Sequence, residues 1–99
     1  MTFEDACYDK CRQLAELVIK KQHDYGHGNI NAFGEIGIKV RTSDKKERLK
    51  NLLDKIDDTF ESKTLNESFE DSWWDMGGYS ILALMYLDGT FQLELKGEE

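Results

Sequence analysis

The chain contains no proline, and cysteine occurs only twice among its 99 residues. Folds with many tight turns commonly use proline, so its absence favours a mainly helical chain. Cys7 and Cys11 are four residues apart, which places both thiols on one face of a helix. No further cysteine completes a metal site, and we therefore expect free, buried thiols and not a disulfide.

Long hydrophobic segments are also missing. The longest apolar run, Met76 to Leu87, is too short to span a bilayer, and the N-terminus lacks the features of a signal peptide. We therefore expect a cytoplasmic protein without a membrane segment. The net charge of −7 argues against binding to a nucleic-acid polymer, which requires cations at the phosphates. A small phosphorylated ligand remains compatible with this charge, because a divalent ion can join it to carboxylates.

The apolar residues that are present recur at helical spacing, which predicts a single all-α domain over residues 1–99. A first helix is predicted from Thr2 to about His23, capped by Thr2 with Asp5 and ended by Gly26 and Gly28. Its expected buried stripe comprises Phe3, Cys7, Cys11, Leu14, Leu17 and Val18.

A second helix is predicted from about Ile36 to Asp57. Ile36 and Val40 open its apolar stripe, which Leu49, Leu52, Leu53 and Ile56 close. Between them lies the polar run RTSDKKER at residues 41–48, which either faces solvent or lies partly over the buried stripe. A connector without periodicity follows.

A third helix is predicted to start at a cap formed by Asn66 or Ser68. Its second half is apolar on every side, so we expect a partner chain to complete a four-helix-type bundle, making the protein a homo-oligomer. Trp73 and Trp74 point about 100° apart, so one is expected in the core and the other at an interface or stacking surface. The final segment, TFQLELK, is predicted to form a short strand or an extended arm that packs on a neighbour.

Glu67, Asp71 and Asp75 on the third helix are each four residues apart and therefore lie on one face. Because this face continues into the apolar half of the helix, the carboxylates need a compensating partner if they are buried. Lys45 and Arg48 from the second helix would supply it, or Mg²⁺ would bind the carboxylate oxygens. Alternatively the acids face water and interact only with the helix dipole.

The stretch KQHDYGHGN at residues 21–29 combines two histidines with two glycines at the end of the first helix. His23 and His27 have the spacing of a helical zinc pair, but Gly26 interrupts the helix and no glutamate occupies the position of a zinc hydrolase. The glycines would let backbone N–H groups approach a phosphate. A purely structural alternative pairs Asp24 with Lys45 or Arg48 and buries the ring of Tyr25.

Three motifs occur in order along the chain. They are K-x-x-D-Y-G-x-G-N at residues 21–29, D-K-x-x-R-L-x-N-L at residues 44–52, and N-E-S-x-E-D-x-x-x-D-x-x-x-Y at residues 66–79. Over residues 13–88 the chain resembles the small phage and prophage proteins grouped as the first nucleotide-modification-associated domain. That group is similar in turn to the all-α nucleotide pyrophosphohydrolases of the MazG and dimeric dUTPase type.

The resemblance implies an all-helical oligomer that handles a nucleotide in a phage or infected bacterial cell. In the pyrophosphohydrolases, acids on two adjacent helices hold Mg²⁺ ions. The positions that match are Asp44, Glu67, Asp71 and Asp75 for the metal, perhaps with Glu47. The resemblance further implies that the nucleotide is bound by Lys21, Asp24, Tyr25, Asn29, Lys45, Arg48 and Tyr79.

Two departures from the pyrophosphohydrolase pattern favour binding over hydrolysis. The middle helix has Asp44 and Glu47 where two glutamates are usual, and the later pair, Asp71 and Asp75, is spaced by four residues instead of three. Three functions therefore stay open: a Mg²⁺-dependent nucleotide hydrolase, a protein that sequesters an immune signalling nucleotide of the bacterial host, and a helical module that binds another protein.

Overall fold

The computed structural model describes residues 1–54 and 63–97, and for residues 63–67 it describes the backbone only. Within these residues the chain forms four α-helices and one 3₁₀ turn and contains no strand, which confirms the all-α prediction. The elements are α1 (Phe3–Tyr25), α2 (Gly28–Asn31), α3 (Gly34–Asp54), α4 (Lys63–Asp88) and the 3₁₀ turn Thr90–Gln92. No described helix is long and apolar enough to cross a membrane.

Both ends of α1 are fixed by local chemistry that the sequence predicted. The Asp5 backbone N–H donates to Thr2 Oγ1 at 3.1 Å, and the Thr2 N–H donates to Asp5 Oδ2 at 3.0 Å, which forms a capping box. At the other end Gly26 adopts a positive φ of 71° and donates its N–H to the Gln22 carbonyl at 2.7 Å. A side chain is strained at this φ, so glycine ends the helix here.

Helices α1 and α4 approach closely at a pair of glycines. A Cβ atom on Gly77 would lie 3.0 Å from Leu14 Cδ2, and a Cβ atom on Gly78 would lie 3.4 Å from Val18 Cγ2. The missing side chains therefore make room for the apolar stripe of α1. This contact determines where the C-terminal half of α1 lies relative to the third motif on α4.

The buried core joins all the elements of the fold. Its buried apolar residues form one cluster, which comprises Val18, Ile30, Ile38, Leu82 and Phe91. Phe91 comes from the 3₁₀ turn, and only 2% of its surface is exposed. The C-terminal segment therefore contributes to the core of its own chain. The predicted strand is absent from the described residues, and packing of an arm on a neighbour stays a prediction.

The first half of the predicted stripe on α1 is not buried. Phe3 is 82% exposed, and Cys7 and Cys11 are exposed, so the prediction of buried thiols was wrong although the thiols are free. The reason is that the close apolar contact of α1 with α4 is made by Leu14 and Val18, which lie beyond the two cysteines. Periodicity identified the face of α1 but not how much of that face the rest of the chain would cover.

Helix α3 differs from its prediction at the start. It begins at Gly34, and Ile38 is buried while Ile36 and Val40 are 72% and 55% exposed. The stripe expected at Ile36 and Val40 was therefore wrong, because the helix turns the neighbouring Ile38 toward α4 and the core. At its other end Leu49 and Leu52 are buried as predicted, whereas Leu53 is 59% exposed.

The remaining differences concern boundaries. Helix α4 has already formed at Lys63, so Asn66 and Ser68 lie inside it, and the prediction of a cap there was wrong. Asparagine and serine cost only part of a kcal/mol inside a helix, about 0.7 at most, so good helix formers around them carry the helix through. The predicted end of the second helix near Asp57 and the connector after it lie outside the described residues.

Helix α4 keeps an uncovered apolar side, where Leu84 and Leu87 are 67% and 66% exposed. Three helices do not surround it, which agrees with the reasoning behind a four-helix-type bundle. The oligomer itself stays a prediction.

Candidate functional site

One carboxylate on α4 is shared by lysines from two other helices. The Lys21 ammonium of α1 donates to Asp75 Oδ1 at 3.1 Å, and the Lys45 ammonium of α3 donates to Asp75 Oδ2 at 2.9 Å. The side chains of Asp75 and Lys45 are only 21% and 24% exposed, and that of Lys21 is 48% exposed. Three distant positions in the sequence therefore meet at one half-buried point.

The electrostatics of this triad favour the charged carboxylate. Burial by itself raises the pKa of Asp75, but the hydrogen bonds from Lys45 and Lys21, with their positive charges, lower it below its ordinary value. Asp75 is therefore ionised at neutral pH, and one negative charge stands between two ammonium groups. A net positive charge remains on the triad.

The triad forms part of the wall of a cavity of about 320 Å³ between α1, α2, α3 and α4. Leu17, Val18, Ile30 and Leu82 are its apolar lining residues, and Gly26 and Gly78 also line it. The polar and aromatic residues of its lining are Lys21, Gln22, Tyr25, Asn29, Arg41, Lys45, Trp74, Asp75 and Tyr79. We call this the cationic cavity, because its lining contains three basic residues and a single acid.

The cationic cavity gathers five of the seven residues that the resemblance implied for nucleotide binding. They are Lys21, Tyr25, Asn29, Lys45 and Tyr79. Arg48 lies instead on an adjoining cavity, and Asp24 is exposed and lines neither. Because the first motif crosses the end of α1 and the second lies on α3, these five residues meet only through tertiary packing.

The adjoining cavity, of about 570 Å³, has a different character. It shares Leu17, Lys21, Trp74 and Asp75 with the cationic cavity, and its further charged residues include Arg48 and Asp71. Glu70 also lines it and accepts a hydrogen bond from the Trp74 indole N–H at 3.2 Å. The lining of this cavity therefore contains three acidic and two basic residues, so it lacks the positive excess of the cationic cavity.

The described residues that were predicted to bind Mg²⁺ do not all lie in one cavity. Both oxygens of Asp75 accept hydrogen bonds from ammonium groups, Asp71 is exposed in the adjoining cavity, and Asp44 is exposed on α3 and lines neither cavity. The side chain of Glu67 lies outside the description. Among the described residues, no three histidine, cysteine or acidic side chains are placed to hold a metal ion. The Mg²⁺ site therefore stays a prediction.

The stretch KQHDYGHGN is both a helix end and part of the cavity wall. The alternative in which Asp24 pairs with a cation of α3 and the Tyr25 ring is buried is not what the structure shows. Lys45 pairs with Asp75 and not with Asp24, and Tyr25 is 71% exposed. His23 lies on α1, whereas His27 follows Gly26, where that helix has ended, so the two histidines do not share one continuous helix. His27 contacts Gln22 Oε1 through Nδ1 at 3.1 Å and the Leu93 carbonyl through Nε2 at 3.0 Å, so it joins α1 to the C-terminal segment.

Sequence reasoning missed Arg41 and Gln22 as cavity residues. Arg41 lies in the polar run of α3, one helical turn before Lys45, and its guanidinium donates to Asn29 Oδ1 at 2.8 Å. The spacing of four between Arg41 and Lys45 was the available signal, because it places both cations on one face. Trp74 is half-buried and lines both cavities, and Trp73 is 63% exposed, so the prediction that one of them lies in the core was wrong.

No family model, curated protein or solved structure that we compared with the chain matches it. The chemistry of the site therefore has to be read from its own geometry. The resemblance based on the three motifs stays a prediction.

Proposed function

We propose that the cationic cavity binds a small nucleotide and that the protein holds this ligand without changing it. The observation that carries the proposal is the charge of the cavity within an acidic protein. Lys21, Arg41 and Lys45 meet a single carboxylate, Asp75, in a chain whose net charge is −7. Such a local excess of positive charge attracts an anion.

The triad leaves hydrogen-bond donors available for phosphate oxygens. An ammonium group has three N–H donors, and each lysine uses one of them on Asp75. The Arg41 guanidinium uses one of its five donors on Asn29. Asp75 holds both lysines in place before the ligand arrives, which reduces the entropy lost on binding.

The aromatic residues supply a surface for a base. Tyr25, Trp74 and Tyr79 line the same cavity as the cations, and rings of this kind stack on nucleobases. The volume of about 320 Å³ lies at the lower end of the range for small-molecule sites, roughly 300–1,000 Å³. The cavity therefore suits a ligand of nucleotide size and not a polymer.

Binding without hydrolysis is favoured over Mg²⁺-dependent hydrolysis by the state of the acids. A carboxylate that receives two ammonium groups is a poor metal ligand and a poor base, because each of its oxygens already accepts a hydrogen bond from a cation and its pKa is lowered. We propose a sequestering role in nucleotide pools, in the cytoplasm of a phage-infected cell, on the resemblance alone.

A thermal-shift panel with linear and cyclic nucleotides, each with and without Mg²⁺, tests the proposal. A ligand at 100 times its dissociation constant adds about 2.7 kcal/mol to the free energy of unfolding. We expect a shift that does not require Mg²⁺, followed by recovery of intact ligand in mass analysis. A Mg²⁺-dependent shift with cleaved ligand would replace binding by hydrolysis, and the absence of any shift would favour the protein-interaction module.

A further inference from the structure

Gln22 is the most deeply buried polar side chain in the wall of the cationic cavity. It is only 9% exposed, and among the described residues the one other buried polar side chain is Ser72, which does not line this cavity. Gln22 follows Val18 by one helical turn, so it lies on the face of α1 that packs on α4. A buried amide costs free energy unless it is hydrogen-bonded, so both of its ends need a partner.

One end of the Gln22 amide contacts His27, and the other end faces the cavity. Oε1 lies 3.1 Å from His27 Nδ1, and the ring is packed against Phe91 at 4.6 Å between centroids. The other end has no hydrogen bond to a described residue, although no buried polar side-chain atom of the described residues lacks a partner. This end is therefore accessible, and the space that Gln22 lines is the cationic cavity.

The Leu93 carbonyl decides which end of the amide faces the cavity. It lies 3.0 Å from His27 Nε2 and can only accept a hydrogen bond, so Nε2 carries a proton. In the neutral ring Nδ1 is then an acceptor, and Gln22 has to donate an amide N–H to it. The amide turns by 180° to do so, because Oε1 beside Nδ1 suits only a ring that is protonated on both nitrogens. The neutral ring therefore leaves the amide oxygen facing the cavity.

We propose that Gln22 determines which end of the nucleotide enters the cavity, because its amide oxygen accepts a hydrogen bond from an N–H group of the base. This inference rests on the proposed nucleotide binding. Phosphate oxygens are acceptors and cannot bond to this oxygen, whereas Lys21, Arg41 and Lys45 offer them donors in the same cavity. The base therefore lies toward Gln22 and the phosphates toward the cations.

Titration calorimetry at pH 8 with matched nucleotides tests the hydrogen bond. AMP and CMP are compared with analogues that have hydrogen in place of the amino group, and UMP is compared with 3-methyl-UMP. GMP is compared with an analogue fully methylated on N1 and on its amino group. For each nucleotide that binds, we expect the analogue without the N–H to bind about ten-fold more weakly, because the buried acceptor is left without a partner.

Two substitutions of Gln22 show whether this residue causes the preference. Gln22→Met has a similar size and no amide, so it should bind both members of each pair equally. Gln22→Glu is its matched control, because a carboxylate also presents an oxygen acceptor. It should keep the preference while its negative charge weakens both ligands. An undiminished preference in Gln22→Met would overturn the inference and leave nucleotide binding intact, whereas no binding of any nucleotide to the wild type would overturn both.

Nuclear magnetic resonance of the histidine side chains in the full chain tests the arrangement without a ligand or a substitution. Long-range correlations between ring protons and nitrogens identify which nitrogen carries the proton. At pH 8 we expect His27 to carry it on Nε2 alone, whereas His23, which is exposed on α1, should exchange between both forms. A proton on Nδ1 of His27, alone or together with one on Nε2, would overturn the inference.

Discussion

The Lys45 ammonium on α3 lies 2.9 Å from Asp75 Oδ2 on α4, and this ion pair is three-quarters buried on both sides. It joins the second sequence motif to the third. With Lys21 on the other oxygen, the same carboxylate also joins the first motif. The three motifs therefore share one charge network, and that network forms part of the wall of the cationic cavity.

The Asp75 network makes stability depend on acid pH. The pKa of Asp75 in the folded protein lies below its ordinary value of 3.8, so its stabilisation is complete above 3.8 and is lost as pH falls through the folded-state pKa. We expect Asp75→Asn to lower the free energy of unfolding at pH 7 by roughly 1 kcal/mol and to flatten its pH dependence below pH 4. Urea unfolding between pH 3 and 7 measures both effects.

Glu47→Gln is the matched control for this series, because Glu47 is exposed on α3 and lines neither cavity. Its curve should follow that of the wild type. If the free energy of unfolding fell equally steeply with pH below pH 4 in Asp75→Asn and in the wild type, the network would not stabilise the fold.

Arg41 should contribute to nucleotide affinity more than to stability. Its one hydrogen bond in the described residues goes to Asn29 across the cavity wall, at 2.8 Å. We expect Arg41→Ala to weaken binding of the nucleotide found in the thermal-shift panel by about 10-fold, the size of one charge-assisted contact of 1.4 kcal/mol. Isothermal titration calorimetry measures the dissociation constant of this nucleotide for Arg41→Ala and for the control variant Lys39→Ala.

Lys39 belongs to the same helix, and within the described residues it pairs with Glu35 alone, at 3.3 Å, where its side chain is 73% exposed. Its removal should leave affinity unchanged. If both variants lost affinity equally, the general charge of α3 and not the cationic cavity would bind the ligand.

The two glycines of α4 should respond differently to alanine. Alanine stabilises an unstrained helix position by about 0.5–1 kcal/mol relative to glycine. A Cβ on Gly78 meets Val18 at an ordinary 3.4 Å, so Gly78→Ala should raise the melting temperature. A Cβ on Gly77 would lie only 3.0 Å from Leu14, so steric crowding should offset the helix preference of alanine. Gly77→Ala should therefore melt at a lower temperature than Gly78→Ala. Equal melting temperatures for the two variants would contradict tight packing at Gly77.

His27 and His23 offer a second matched pair. His27 contacts Gln22 and the Leu93 carbonyl, and its ring lies 4.6 Å from that of Phe91, whereas His23 is exposed. We expect His27→Ala to destabilise the protein by about 1–3 kcal/mol, because a buried glutamine and the 3₁₀ turn lose a partner. His23→Ala should unfold at the wild-type urea concentration. If His27→Ala unfolded at the wild-type urea midpoint, the contacts of this ring with the C-terminal segment would not stabilise the fold.

Much of the local structure could be predicted from the sequence. Helical periodicity predicted the all-α class, the Thr2 and Asp5 pair predicted the start of α1, and Gly26 predicted its end. These features depend on interactions within one or two turns. The errors occurred where local signals are weak, as at Asn66 in the interior of α4, or where burial depends on another element, as at Cys7 and Ile36.

The candidate site shows the same division. The sequence alone determined which side chains were available: two lysines, an arginine at helical spacing from one of them, aromatic rings, and an acid on an apolar face. Only the tertiary structure decided that Asp75 receives both Lys21 and Lys45, because the crossing of α1 over Gly77 and Gly78 brings Lys21 to it and α3 brings Lys45. Periodicity specifies the face of a helix, but the choice of partner depends on how helices cross.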